Sequence, residues 1–230
     1  GYGGKSTGLS ELVWRARDRG RDVLVADGDA RSRTLAGMFP EALVPETDEL
    51  PDVKQWLSGV LNRMVAERRS AVLDLGGGDR VLQEYGRDLL PVEFCGEYGI
   101  EPLALYFLGP EEEDLKHVLA IWDAGYFRPK RTLLVLNEGV IREGRTVSGA
   151  FEKTLSHPGF EKMLQAGAVA ILMQRLACMD LVKASGAGFY AAASGEGDKP
   201  LDPVEEFMVG DWIEDLEGKR EKAGTVVWLP

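Results

Sequence analysis

The chain has 230 residues, of which 44% are apolar and 28% charged, a composition that suits one large globular α/β domain. Its formal net charge of -11 disfavours direct nucleic-acid binding, because such binding depends mainly on Lys and Arg contacting phosphate. Cys95 and Cys178 lack metal-ligand spacing, and the sequence shows neither a membrane span nor a signal peptide, so we expect a cytoplasmic protein without zinc or disulfides.

Hydrophobic patterning predicts strands that alternate with helices. Leu9, Leu12, Val13 and Ala16 form one face of a first helix, which Gly20 ends. Short apolar runs typical of strands buried on both faces occupy 22–29, 71–79, 102–109, 131–139 and 168–174, and a last possible strand covers 225–230. Helices are predicted at 53–69, 111–125, 151–155 and 160–165, and 204–222 is an acidic segment.

This alternation predicts an α/β fold in which a mostly parallel sheet is sandwiched between helices. We expect a single domain over residues 1–230, with a variable C-terminal region at 184–230. Acids that open the helix at 111–125 suit its dipole. The arginine cluster at 15–21 is interpreted as a solvated helix face.

The opening GYGGKST resembles the second half of the phosphate loop G-x-x-x-x-G-K-[ST]. Gly1, Gly3 and Gly4 would let amide groups face a β-phosphate, Lys5 would reach the β- and γ-phosphate oxygens, and the Ser6 hydroxyl would bind Mg²⁺. A plain glycine turn before an amphipathic helix would not require Lys-Ser-Thr. A dinucleotide fingerprint is disfavoured because its third glycine would fall on Ser6.

Carboxylates end the two strands that follow this loop. Asp27 and Asp29 end the first, and Asp74 ends the second, so all three are expected at the carboxyl edge of one sheet, where ligands bind in open α/β folds. One acid would hold Mg²⁺ through water while another orients the attacking water. The alternative is that each aspartate is a helix cap or turn residue.

Four segments together, GYGGKST, VLVADGDA, AVLDLGGG and LLVLNEG, resemble the ParA/MinD group of P-loop ATPases. This is the deviant Walker A, SIMIBI-class branch, which includes plasmid-transfer ATPases of the TraL kind. The resemblance covers Gly1 to about Gly188 and implies a P-loop NTPase fold with Rossmann-like three-layer architecture. Tyr2 stands where the family has a second glycine, and the family's signature lysine would precede Gly1.

The resemblance also implies roles for individual residues. Lys5 and Asp29 would be catalytic, with Asp29 positioning the hydrolytic water. Asp27 and Asp74, the latter as the Walker B aspartate, would hold Mg²⁺ together with Ser6. The resemblance therefore implies ATP and Mg²⁺ as cofactors.

Further contacts with the nucleotide are implied at Thr7, for the α-phosphate, and at Asn137, for adenine. For Asn137 an equally good interpretation is a cap for the turn before Gly139. The loop 76–78 would sense the γ-phosphate. In this family a central strand feeds the phosphate loop, so we expect about ten native residues before Gly1, without which two strand edges would be exposed.

The leading functional hypothesis is a slow ATPase that acts as a switch, forms a nucleotide-dependent homodimer and serves plasmid transfer, mobilisation or partition through a protein partner. The C-terminus lacks the basic amphipathic helix of membrane-binding relatives. One alternative is a metabolic P-loop enzyme, either a small-molecule kinase or a ligase resembling dethiobiotin synthetase, whose acceptor pocket the loop 139–160 would line. Another is a nucleotide-binding adaptor that does not hydrolyse ATP.

Overall fold

The computed structural model describes residues 4–29, 32–76 and 79–230, and this part of the chain contains five β-strands and eleven α-helices. The elements are α1 Lys5–Asp18, β1 Leu24–Asp27, α2 Thr34–Met38, α3 Leu50–Glu67, β2 Ala71–Asp74, α4 Asp79–Leu89, α5 Pro91–Glu97, β3 Leu103–Leu108, α6 Glu112–Ala124, β4 Arg131–Asn137, α7 Val147–Leu155, α8 Pro158–Gln165, β5 Val169–Met173, α9 Met179–Ser185, α10 Phe189–Ala192 and α11 Pro203–Lys222. Two short 3-10 turns lie at Glu138–Val140 and Val226–Trp228.

The first helix confirms the predicted apolar stripe. Leu9, Leu12, Val13 and Ala16 are all buried on α1. The helix ends at Asp18, shortly before Gly20, which adopts a positive φ of 66°.

All strand pairs are parallel, as predicted. β1 pairs with β2, and β4 lies between β3 and β5. On the other edge of β1, the Asp27 amide donates to the Leu43 carbonyl at 2.9 Å. The described strands therefore form two parallel groups rather than the single sheet that the sequence predicts, since neither β2 nor β3 finds a second strand partner within the described residues.

Helices cover both faces of these strands. Leu133 and Val135 of β4 pack with α9, α10 and α11, whereas Leu134 and Leu136 pack with α6, α7 and α8. In the other group, residues of β1 and β2 pack against α1 and α2 on one face and against α3 on the other. The hydrophobic cluster that contains Leu9, Leu12 and Val13 of α1 is called the α1 cluster. Side chains of β3 also pack against this cluster, so α1 bridges the two strand groups.

A buried ion network joins α1 to α11. Glu11 accepts from both terminal nitrogens of Arg220, and Glu217 accepts from Arg15, Arg19 and Arg220. Burial of Glu217 opposes its ionisation, but hydrogen bonds from these three arginines outweigh that effect and lower its pKa to about 2. Arg15 is only 1% exposed, so the interpretation of this arginine cluster as a solvated face is wrong for Arg15.

The C-terminal segment also differs from its sequence-based prediction. Residues 225–230 do not form a strand but a 3-10 turn, in which Val227 is 78% exposed and Leu229 packs into the α1 cluster. Upstream, Val209 and Trp212 of α11 belong to the hydrophobic core that also contains Ile171 and Met173 of β5.

Among the helices of the described residues, none combines the length and apolar character that crossing a bilayer requires.

Candidate functional site

Lys5 begins α1 and reaches the end of β2. Its Nζ lies 2.6 Å from Asp74 Oδ1 and donates to the Gly76 carbonyl at 2.8 Å. The Gly76 amide donates to the same carboxylate oxygen at 2.8 Å, which closes the turn after β2. The side chain of Lys5 is 30% exposed and that of Asp74 is 3% exposed. The structure thus brings together a solvent-accessible ammonium and a buried carboxylate at a helix N-terminus, as the sequence predicts.

Gly4 and Asn137 lie directly against each other. Gly4 caps α1 with a φ of 68°, and a Cβ on it would lie 2.0 Å from Asn137 Nδ2. Glycine is therefore required here both for backbone conformation and for close approach. The Asn137 Oδ1 accepts from the Gly139 amide at 2.9 Å. Its capping role is confirmed, and the same side chain lies against Gly4, a glycine of the predicted phosphate loop.

Asp27 ties the following loop to the end of β1. It is 1% exposed, and its two carboxylate oxygens accept from the amides of Asp29 and Ala36 at 3.0 and 2.9 Å. This is the turn role that the sequence left open as an alternative. A role for Asp27 in the metal shell stays a prediction.

Asp29 is held beside the lysine site. Its carboxylate accepts from the amide and hydroxyl of Ser32 at 3.1 and 2.6 Å. A Cβ on Gly76 would lie 3.1 Å from both Cα and Cβ of Asp29, so this aspartate packs against the residue whose carbonyl binds Lys5. The expectation that the acids after β1 and β2 share one edge with Lys5 is met.

For the other residues predicted to bind nucleotide or magnesium, the structure gives a position for some and not for others. Ser6 and Thr7 lie in the first turn of α1 and are partly buried. Gly1 and Gly3, and the loop residues Gly77 and Gly78, lie outside the described residues. Within residues 4–29, 32–76 and 79–230, no three or more His, Cys, Asp or Glu side chains cluster at metal-binding distance.

A magnesium ion does not require a cluster of three or more protein ligands. Mg²⁺ usually retains several waters and takes only one or two carboxylates besides the phosphates of its nucleotide. Asp74 supplies a carboxylate at the lysine site, and Ser6 adds a hydroxyl next to Lys5 in the chain. This chemistry suits a hydrated magnesium ion.

Asp114 lies at the same edge, although sequence analysis gave it no role beyond the helix dipole. A Cβ on Gly109, the residue after β3, would lie 2.5 Å from Asp114 Oδ2. Burial raises the pKa of Asp114 above its usual value. A Cβ on Gly4 would lie 3.5 Å from a methyl carbon of Val140, and a Cβ on Gly109 would lie 3.2 Å from its other methyl carbon. A glycine directly after a buried strand was the available signal of this close approach.

A polar cleft of about 290 Å³ opens directly after Asn137. Its charged lining combines two acids and three arginines. The Arg175 guanidinium donates to the Ile141 carbonyl, and the Arg175 amide donates to Glu138 at 3.4 Å. The residues that line the cleft are Glu138, Ile141, Arg142, Glu143, Gly144, Arg145 and Arg175.

The fold and this edge together define an α/β protein with parallel strands flanked by helices and a lysine–aspartate pair at a helix N-terminus. Comparison of the sequence with models of known protein families and with curated proteins gives no match.

Proposed function

We propose that this chain binds Mg-ATP at the lysine site and hydrolyses it slowly, as a molecular switch of the ParA/MinD type of P-loop ATPase. The observation that carries the proposal is the contact between Lys5 and Asp74, made beside the close packing of Gly4 on Asn137. A helix N-terminus with a glycine-shaped approach and an accessible ammonium favours a polyphosphate ligand.

The charged groups of the site have complementary tasks in this proposal. Lys5 would exchange its contacts with Asp74 and the Gly76 carbonyl for oxygens of the β- and γ-phosphates. That exchange would leave Asp74, together with Ser6, to hold the hydrated magnesium ion. Bound magnesium would neutralise charge on the phosphates.

Hydrolysis would depend on Asp29. Its position against Gly76 supports a role in orienting water toward the γ-phosphorus, so that the bond to ADP breaks and inorganic phosphate leaves. Thr7 would contact the α-phosphate and Asn137 the adenine base. The loops that contain Asp29 and Gly76 would change conformation with the state of the nucleotide.

The switch would act through assembly. We infer a homodimer formed with ATP and a protein partner in plasmid transfer, mobilisation or partition. The net charge of -11 favours a protein partner over direct contact with DNA. Light scattering with and without a non-hydrolysable ATP analogue tests the dimer.

Isothermal titration calorimetry with Mg-ATP and Mg-GTP tests nucleotide binding. The wild-type chain is expected to bind, and Lys5→Ala is expected to lose about 100-fold or more in affinity because it removes a charge-assisted phosphate contact. Lys116→Ala is the matched control, since Lys116 forms surface ion pairs with Glu112 and Glu113 on α6, away from the lysine site. Absence of binding heat from the wild-type chain, or equal binding by both variants, would contradict the proposal.

Phosphate release tests the catalytic assignment. Asp29→Asn is expected to lower the rate of ATP hydrolysis at least about tenfold while nucleotide binding is retained. Its control is Asp48→Asn, which removes the charge of an exposed aspartate in a different loop. A wild-type chain that binds Mg-ATP without releasing phosphate would support the adaptor instead of the switch.

The arginine-lined cleft favours a second candidate, a metabolic P-loop enzyme that transfers a phosphoryl group from ATP to an anionic acceptor. Arginine guanidinium groups are suited to carboxylates and phosphates. A switch would hydrolyse ATP without any added metabolite, whereas such an enzyme would need an acceptor. ATP turnover measured with and without a panel of small carboxylic acids separates the two.

A further inference from the structure

The solvent side of α11 carries an unusual surface, which we call the α11 outer face. Its exposed apolar side chains are Val204 and Phe207, which are 67% and 76% exposed. A helix that buries Val209, Trp212 and Leu216 on its inner side gains nothing in this fold from a phenylalanine in water. By helical periodicity the face comprises Val204, Phe207, Gly210, Asp211, Glu214, Gly218, Glu221 and Lys222.

Two glycines, Gly210 and Gly218, lie on this face. A Cβ added to Gly210 or Gly218 would meet nothing within 4 Å. Neither glycine has the positive φ that would require this residue. Each one costs a helix interior about 1 kcal/mol relative to alanine. The packing of the chain therefore does not account for them, but close approach of a second backbone to the helix would.

The α11 outer face carries a negative balance, with three carboxylates, Asp211, Glu214 and Glu221, against one lysine, Lys222. The sequence from Glu196 to Glu217, which extends beyond this face, contains nine carboxylates and one lysine. Asp211, Glu214 and Glu221 are exposed, and none of them forms an ion pair within the described residues. These carboxylates would complement a cationic partner.

We propose that the α11 outer face is a docking surface for a basic amphipathic helix of a partner protein. Phe207 is the apolar anchor, Gly210 and Gly218 admit the partner backbone closely, and the surrounding carboxylates pair with its Lys and Arg side chains. The proposal does not rest on nucleotide binding, because none of these residues belongs to the lysine site.

Charge also selects among the other possible occupants. A second copy of this chain would bring two acidic helix faces together, at a cost from like-charge repulsion. Anionic lipid would be repelled for the same reason. A basic helix is the occupant that matches both the apolar anchor and the charge.

Fluorescence anisotropy with a labelled helical peptide tests the surface. The probe carries leucine at every third or fourth position and lysine at the positions between, and a control peptide has glutamate in place of lysine. The full chain is expected to bind the lysine peptide, more weakly as salt is raised, and not the glutamate peptide. Phe207→Ser is expected to weaken binding at least about tenfold, and Gly210→Leu to do the same by blocking close approach.

The matched control is Leu155→Ser, which removes an exposed apolar side chain elsewhere on the surface, at the end of α7. It is expected to bind the peptide like the wild-type chain, as is Lys5→Ala. Circular dichroism confirms that each variant is folded. Absence of peptide binding, equal loss in Phe207→Ser and Leu155→Ser, or equal binding of both peptides would overturn the proposal. Self-association or binding to phosphatidylcholine vesicles that depends on Phe207 would also overturn it, in favour of a second copy or a lipid surface.

Discussion

Removing the charge of Glu11 tests whether the ion network between α1 and α11 stabilises the fold. The Glu11 side chain is 1% exposed and lies 2.9 and 2.5 Å from the two terminal nitrogens of Arg220. It also accepts from the Tyr190 hydroxyl at 3.1 Å. Glu11→Gln keeps the size of the side chain and leaves the buried guanidinium without its main counter-charge.

The expected loss follows from this geometry. Removal of one partner of a buried ion pair typically costs about 3–5 kcal/mol, because the remaining charge is left desolvated. Arg220 retains a hydrogen bond to Glu217 at 2.6 Å, and the side chain of Glu217 is only 15% exposed. We therefore expect the lower end of that range, about 3 kcal/mol of unfolding free energy.

Urea unfolding followed by circular dichroism measures this loss. The double variant Glu11→Leu/Arg220→Met is the decisive control, because it replaces the pair with apolar side chains of similar size and is expected to be more stable than Glu11→Gln. A loss below about 1 kcal/mol in Glu11→Gln would refute the reasoning, since it would mean that the carboxylate contributes no more than a surface pair. A double variant less stable than Glu11→Gln would also refute it.

Three further outcomes are expected. The pKa of Glu217 is about 2 in the folded chain against an ordinary 4.5, so its contribution of about 3 kcal/mol is complete above pH 4.5 and is lost as pH falls toward 2. Acid titration of urea midpoints would show this loss in the wild type and a smaller one in Glu217→Gln. Gly4→Ala should lower the thermal midpoint and abolish Mg-ATP binding, because its Cβ overlaps Asn137 at a positive φ; unchanged calorimetry would contradict this. Gly210→Ala should raise stability by up to about 1 kcal/mol, and a decrease in the urea midpoint would show that the position is packed after all.

The strands and the site edge were predictable because their signals are local. Continuous apolar runs that end in aspartate identified β1 and β2. Because the two strands are parallel, their carboxyl ends lie at the same edge of the sheet. Lys5 follows the glycines at the start of α1, so a meeting with Asp74 was expected and is found. The limits of β1 were less accurate, since the predicted run at 22–29 becomes Leu24–Asp27.

Long-range contacts were not predictable from the same patterns. Nothing near Asn137 in the sequence indicates that its side chain packs on Gly4, because that contact depends on how two separate segments meet. Arg15 was mistaken for a solvated residue because its partner Glu217 is on the last long helix. The residues at 225–230 were mistaken for a strand because β-branched residues favour one, but the chain turns instead to bury Leu229.

These long-range contacts give the C-terminal helix a part in the geometry of the site. Glu11 follows Lys5 by about 9 Å along the axis of α1, a separation that a continuous helix keeps nearly constant. One end of α1 is fixed to β2 through Lys5 and Asp74, and its middle is fixed to α11 through Glu11 and Arg220. Because α1 also bridges the two strand groups, the position of Lys5 against Asp74 depends on contacts that α11 supplies. The helix that carries the proposed docking face thus supports the proposed phosphate site mechanically while contributing no residue to it.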